Sequence, residues 1–185
     1  MTSPGTIRPG ADREGAGGAL TIAPEPFDSP DAQSLVAELA VDLDERYAAD
    51  GPAEGDNPDA MAEHTVRAGQ VTPPRGVLLV ARVDGRAAGC AAVRPLGGGP
   101  PAVAEIKRMY TVPTARRRGV SRALLARIEA EATALGYRRL QLVTGLRQPE
   151  AIALYESAGY FRIASYGRFE RDDLLVCFAK DLTSG

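Results

Sequence analysis

Apolar residues recur along this chain with two periods, and the switches between them mark its elements. Leu20–Ala23 reads as a short strand ended by Pro24 and Pro26. After Asp31, Leu35, Val36, Leu39, Ala40 and Leu43 fall at helical spacing, which predicts a helix to about Tyr47 with Asp31 as its cap. An acidic loop follows at 50–59, then a second helix over 58–68 that Gly69 stops. Val77–Val83 and Arg86–Val93 flank Asp84-Gly85, the strongest short hairpin signal. Beyond a Gly/Pro connection at 97–101, Val103–Val112 predicts the next strand, so three antiparallel strands run in succession. Val120, Leu124, Ile128 and Leu135 form the apolar stripe of a helix over 120–135 that Gly136 ends in the C′ position. Leu140–Val143 reads as a buried strand and 149–158 as a helix closed by Gly159. Tyr160–Ile163 and Leu174–Ala179 are the last strands. A meander followed by β-α-β-α-β-β predicts an α/β (α+β) fold: a mixed, mostly antiparallel sheet of six to seven strands with helices on both faces.

Length and composition change this picture little. A chain of 185 residues with 44% hydrophobic residues suits one domain with its own core. Residues 1–18 are rich in Gly, Pro, Ser, Thr and Arg and predict a disordered leader, leaving the domain at 19–183. The formal charge of −2 offers no global field for nucleic acid or an anionic membrane. No apolar run approaches the ~20 residues of a membrane span, and no signal-peptide pattern opens the chain. A cytoplasmic protein, monomer or homodimer, is expected.

The side-chain inventory removes some chemistries. His64 is the only histidine and lies far from any motif, so surface decoration is its expected role. A typical zinc site is not expected, and no other metal site is proposed. Cys90 and Cys177 sit in apolar strand-like runs, which predicts buried free thiols rather than a disulfide or a nucleophile.

One stretch points to a ligand. After Pro113 the chain reads Thr-Ala-Arg116-Arg117-Arg118-Gly119-Val120-Ser121-Arg122, a basic turn opening an amphipathic helix. Such a turn aims free backbone N–H groups and positive charge at one point, as a pyrophosphate requires; taken alone it also reads as a solvated charged turn. On the preceding strand, Glu105 could pair with Lys107 or Arg108. Those two cations are expected to alternate across the strand, leaving one to neutralise an acidic group on a substrate or to meet solvent. Asp42, Asp44, Glu45, Asp50, Glu54 and Asp56 offer a weak means of steering a cationic ligand.

Three segments in order resemble the GNAT superfamily of acetyl-CoA-dependent N-acetyltransferases. Arg116-Arg117-Arg118-Gly119-Val120-Ser121 is similar to its pyrophosphate signature. Gln148-Pro149-Glu150-Ala151-Ile152-Ala153-Leu154-Tyr155-Glu156-Ser157-Ala158-Gly159-Tyr160 resembles its Asn-x-x-Ala-x-x-Leu-Tyr-x-x-x-Gly-Phe pattern, and Met109-Tyr110-Thr111-Val112-Pro113 its Leu-Tyr-Val-x-Pro strand end. The resemblance spans 20–182 and is specific over 105–160. Four positions depart from the pattern: Ser121 stands for a smaller residue, Gln148 for asparagine, Thr111 for an apolar residue and Val143 for glutamate.

The resemblance implies acetyl-CoA as cosubstrate. Backbone N–H groups of Arg117, Arg118, Gly119, Val120, Ser121 and Arg122 would wrap the pyrophosphate, with the Arg116–Arg118 side chains facing phosphate or solvent. Met109, Tyr110 and Thr111 would bind the pantetheine arm through main-chain groups, and Gln148 belongs to the same site. It implies Tyr155 as general acid to the leaving thiolate, against a core-packing role, and Glu105 as general base, against a structural carboxylate. The expected reaction is direct acetyl transfer to the primary amine of a small molecule. Alternatives are a protein N-terminus or lysine as acceptor, or a non-catalytic acyl-CoA sensor.

Overall fold

In a computed structural model describing residues 19–48, 66–97, 103–167 and 173–182, the strands form one sheet buried on both faces. The strands are β1 (Leu20–Pro24), β2 (Val77–Val83), β3 (Arg86–Pro95), β4 (Val103–Thr111), β5 (Arg139–Gly145), β6 (Phe161–Ile163) and β7 (Leu175–Asp181). The helices are α1 (Pro30–Tyr47), α2 (Val120–Ala134) and α3 (Pro149–Ser157). Strand order is β1-β2-β3-β4-β5-β7-β6, and every neighbouring pair is antiparallel except β4–β5. The mostly antiparallel mixed sheet expected from the sequence is present, with seven strands.

Burial on both sides explains why β2 reads as a continuous apolar run rather than an alternation. Val77, Leu79 and Ala81 enter the larger core beneath α2 and α3, with Leu124, Ile128, Tyr155 and Phe178. Leu78 and Val80 face the other way, into a smaller core with Cys90, Ala92, Tyr110 and the α1 residues Ala32 and Leu35. The helices therefore lie on both faces, α1 being the α-helix among the described residues on one of them.

Ser29, not Asp31, caps α1: its hydroxyl accepts from the Ala32 N–H, and Pro30 fills the first helical position. Of the helix expected over 58–68, residues 58–65 lie outside the described residues; Ala68–Gln70 forms a 3₁₀ turn instead. The leader, His64 and most of the 97–101 connection also lie outside them.

Candidate functional site

The site follows from two irregularities in β4. The first is the end of its pairing with β5. The parallel register joins Val103 to Arg139, Ala104 to Leu140 and Glu105 to Gln141, and there it stops, although β4 continues to Thr111 and β5 to Gly145. Beyond Glu105 the strands splay, so the β5-facing backbone of the Ile106–Thr111 stretch has no ladder partner. The second is a bulge. Cys90 pairs with Tyr110 and Ala92 with Lys107, so the lone Ala91 faces both Arg108 and Met109. Arg108 takes φ of 55°, left-handed for a non-glycine residue.

At the end of β4, Pro113–Ala115 makes a 3₁₀ turn and the chain swings into α2. Arg117 (φ 61°) and Gly119 (φ 81°) are left-handed, and no side chain caps the first turn of α2. The orphan N–H groups at that helix end remain available, with roughly half a positive charge from the helix dipole. Val120 roots the turn in the core at 1% exposure, while the Arg117, Arg118 and Arg122 side chains are exposed.

Arg116 has two protein acceptors. Its Nη2 lies 2.7 Å from Asp42 Oδ1 and its Nε donates to the Thr111 carbonyl at 3.1 Å, while 36% of the side chain stays exposed. Asp42 also receives Arg46 at 2.7 Å. Partial burial pushes the Asp42 carboxyl up, but hydrogen bonds from Arg116 and Arg46 outweigh it and hold the group below its usual range. A carboxylate committed to two arginines has little charge left to steer an amine.

The end of α1 thus braces both helices that border the splay. Arg46 also reaches Glu150 at 2.7 Å and the Arg147 carbonyl at 3.3 Å. Gln148, at the start of α3, lies 3.5 Å from both the Thr144 hydroxyl and the Tyr47 hydroxyl. A Cβ at Gly145 would collide with that Tyr47 hydroxyl. Arg46, Tyr47, Thr144 and Gly145 were not singled out from the sequence; only the docking of α1 across the sheet reveals them.

Tyr155 packs into the larger core. Its ring is buried among Tyr160 (centroids 5.6 Å apart) and Phe178 (6.0 Å). Its hydroxyl makes no hydrogen bond among the described residues, and the residue is 4% exposed. Burial pushes its pKa well above that of free tyrosine, so the proton stays on near neutral pH.

Glu105 is 1% exposed and both its oxygens are occupied. Oε2 accepts from Arg94 Nε (3.0 Å) and Nη2 (2.9 Å); Oε1 accepts from Lys107 Nζ (3.1 Å) and the Tyr166 hydroxyl (3.1 Å). The expected pairing with Lys107 is present, and the second cation is Arg94, its cross-strand neighbour, rather than Arg108. To take a proton directly from an amine, Glu105 would have to release one of these donors. Lys107 lies across from Ala92 on the α1 face, while the register sets Arg108 together with Met109 opposite Ala91 of the larger core.

The comparisons with known proteins agree with this geometry. The chain is 37% identical to an IAA acetyltransferase of Azospirillum brasilense over 164 residues, covering 88% of this chain and 98% of that protein. Its fold matches a Klebsiella pneumoniae structure assigned as an acyl-CoA N-acyltransferase (TM-score 0.68, 28% identity, 89% and 98% of the two chains). It also matches a GNAT family acetyltransferase from Elizabethkingia anophelis with acetyl-CoA bound (TM-score 0.59, 15% identity, 88% and 98%). Residues 38–160, which hold the splay, the basic turn and Tyr155, match the acetyltransferase (GNAT) family, and the chain therefore belongs to the GNAT family of acetyltransferases.

Proposed function

We propose that this acetyltransferase moves the acetyl group of acetyl-CoA directly onto the primary amine of a small molecule. The observation that carries the reading is the splay of β4 from β5 beyond Glu105 and Gln141, opening beside the uncapped turn at Gly119. Unpaired main-chain groups on β4 suit an extended amide-bearing arm, which would add to the strand edge through Met109, Tyr110 and Thr111. N–H groups from Arg117 to Arg122 suit a pyrophosphate. A main-chain N–H at the bulge polarises the thioester carbonyl as charge develops on it.

Nitrogen forms the new C–N bond as the C–S bond breaks. Tyr155 gives its proton to the departing thiolate, the surplus proton of the amine leaves to water, and water reprotonates Tyr155. Glu105 positions Lys107 and Arg94. The name of the Azospirillum relative, an IAA acetyltransferase, supports a small-molecule acceptor.

Acetyl-CoA at millimolar concentration should raise the melting temperature by mass action on the native state. Gly119→Val should abolish that shift, because a β-branched residue resists the left-handed backbone and its side chain would stand where phosphate must approach. No shift with a folded wild-type protein overturns the reading.

A further inference from the structure

The last turn of α1 bridges the open end of the β4–β5 splay. The helix starts over β2 and β3, where Ala32 and Leu35 join Leu78, Val80 and Ala92. At Asp42 it has reached Arg116, beyond the end of β4, and its final residues cross to the β5 side. There Arg46 meets Glu150 of α3, and the hydroxyl end of Tyr47 rests on Gly145, the last residue of β5. Strand alternation turns Leu140 and Leu142 into the larger core and Gln141, Val143 and Gly145 to the α1 face, where Tyr47 meets them.

Two features seat the ring. Gly145 lacks a Cβ at the spot the phenol occupies, and Gln148 Nε2 donates to the Tyr47 hydroxyl at 3.5 Å. The longer arm of Gln148, where the family pattern has asparagine, carries its amide toward that hydroxyl. Tyr47 is only half-buried, so part of its ring faces accessible space. The other end of the splay is marked by Glu105, whose carboxylate holds Arg94, Lys107 and the Tyr166 hydroxyl. From Gln141, opposite Glu105, to Gly145 is four residue steps, about 13 Å of β5. The splay is thus bounded on the α1 face by Glu105 at one end and Tyr47 at the other.

We infer that the amine enters from the α1 face between Glu105 and Tyr47, and that the Tyr47 ring is the wall that limits the acceptor's bulk. On the acetyltransferase reading, which this rests on, acetyl-CoA takes the other face: Val120 after the basic turn and Tyr155 both root in the core beneath α2 and α3. With Tyr155 protonating the sulphur from there, the nitrogen reaches the carbonyl carbon from the α1 side. A tyrosine suits a wall, because its ring is rigid and little freedom is lost on contact. The substrate class narrows to slender primary amines.

The test measures thiol release from acetyl-CoA with two series of amines graded in bulk. One is ethylamine, isobutylamine, cyclohexylmethylamine and naphthylmethylamine; the other is glycinamide, alaninamide, leucinamide and phenylalaninamide. In the series the wild type uses better, kcat/KM should fall about 10-fold or more from the slenderest member to the bulkiest. Tyr47→Ala should raise the bulkiest-to-slenderest ratio by about 10- to 100-fold, and Tyr47→Leu by less. Tyr47→Phe, which keeps the ring, should retain the wild-type preference. The acetyl-CoA thermal shift should persist in each, which reports an intact fold and cosubstrate site. Gly145→Ala must displace the phenol, so it should alter the preference in the wild-type background and leave it unaltered in Tyr47→Ala. No fall across either series in the wild type, a ratio unmoved by both Tyr47→Ala and Tyr47→Leu, or equal effects of Gly145→Ala in the two backgrounds overturns the inference. Each of those results leaves acetyl transfer to small amines standing. Acetyl-CoA binding with no amine acetylated by any of these proteins removes the small-molecule reading and the inference with it.

Discussion

The Thr111 and Ser121 hydroxyls lie 3.0 Å apart, joining the end of β4 to the first turn of α2. Each is a departure from the family pattern, and each supplies the other's hydrogen-bond partner. Together they close the chain reversal that carries the basic turn. Ser121→Ala alone leaves the buried Thr111 hydroxyl without its partner and should cost about 1 kcal/mol, as should Thr111→Val. The double variant should lose less than the sum of the two, because no polar group is then left unpaired. Denaturant unfolding of the four proteins measures the coupling; strict additivity would mean that the contact contributes nothing.

Tyr155→Phe should fold, since the ring contacts with Tyr160 and Phe178 do not involve the hydroxyl. Acetyl-CoA should still bind, while kcat falls by about 10²- to 10⁴-fold. Turnover near wild type, with acetyl transfer shown to be rate-limiting, would return Tyr155 to a packing role.

Glu105→Gln should act mainly on stability. It leaves Arg94 and Lys107 buried beside a neutral amide, and disrupting a buried ion pair costs about 3–5 kcal/mol. The surviving activity should show a pH–rate profile parallel to that of wild type. A deficit confined to low pH and rescued as the free amine accumulates would instead make Glu105 the general base.

Cys90 gives an alkaline signature. Its thiol is fully buried and donates to the Arg108 carbonyl at 3.2 Å, and burial pushes it up from 9.0 to about 12. Above pH 9 the unfolded thiol has lost its proton while the native one keeps it. The unfolded state then binds fewer protons, and stability falls as pH rises, by about 1.4 kcal/mol per unit. Cys90→Ala should flatten that slope between pH 9 and 10, before the buried tyrosines contribute. Denaturant midpoints across this range read the effect. Native Cys90 should also resist aromatic disulfide reagents at neutral pH, and rapid labelling would contradict its burial.

The local elements were legible in the sequence because local forces set them. Asp84-Gly85 fixed a hairpin, the Val120-to-Leu135 stripe fixed α2, and Gly136 and Gly159 ended helices by taking positive φ. The turn at Gly119 and the Tyr155 pattern were equally visible, since each lies within one short segment. What the tertiary structure decided depends on register and docking. One extra residue in β4, invisible to a two-residue period, set both Arg108 and Met109 opposite Ala91, and the register beyond it set Arg94 rather than Arg108 against Glu105. The packing of α1 across the sheet spent Asp42 on Arg116, 74 residues away. Insertion of β7 between β5 and β6, and the splay of β4 from β5, follow from long-range pairing that no local pattern encodes. The chain thus carries the basic turn at Gly119 in local sequence, while the β4–β5 splay and the Arg94–Glu105–Lys107 cluster exist only once distant strands meet.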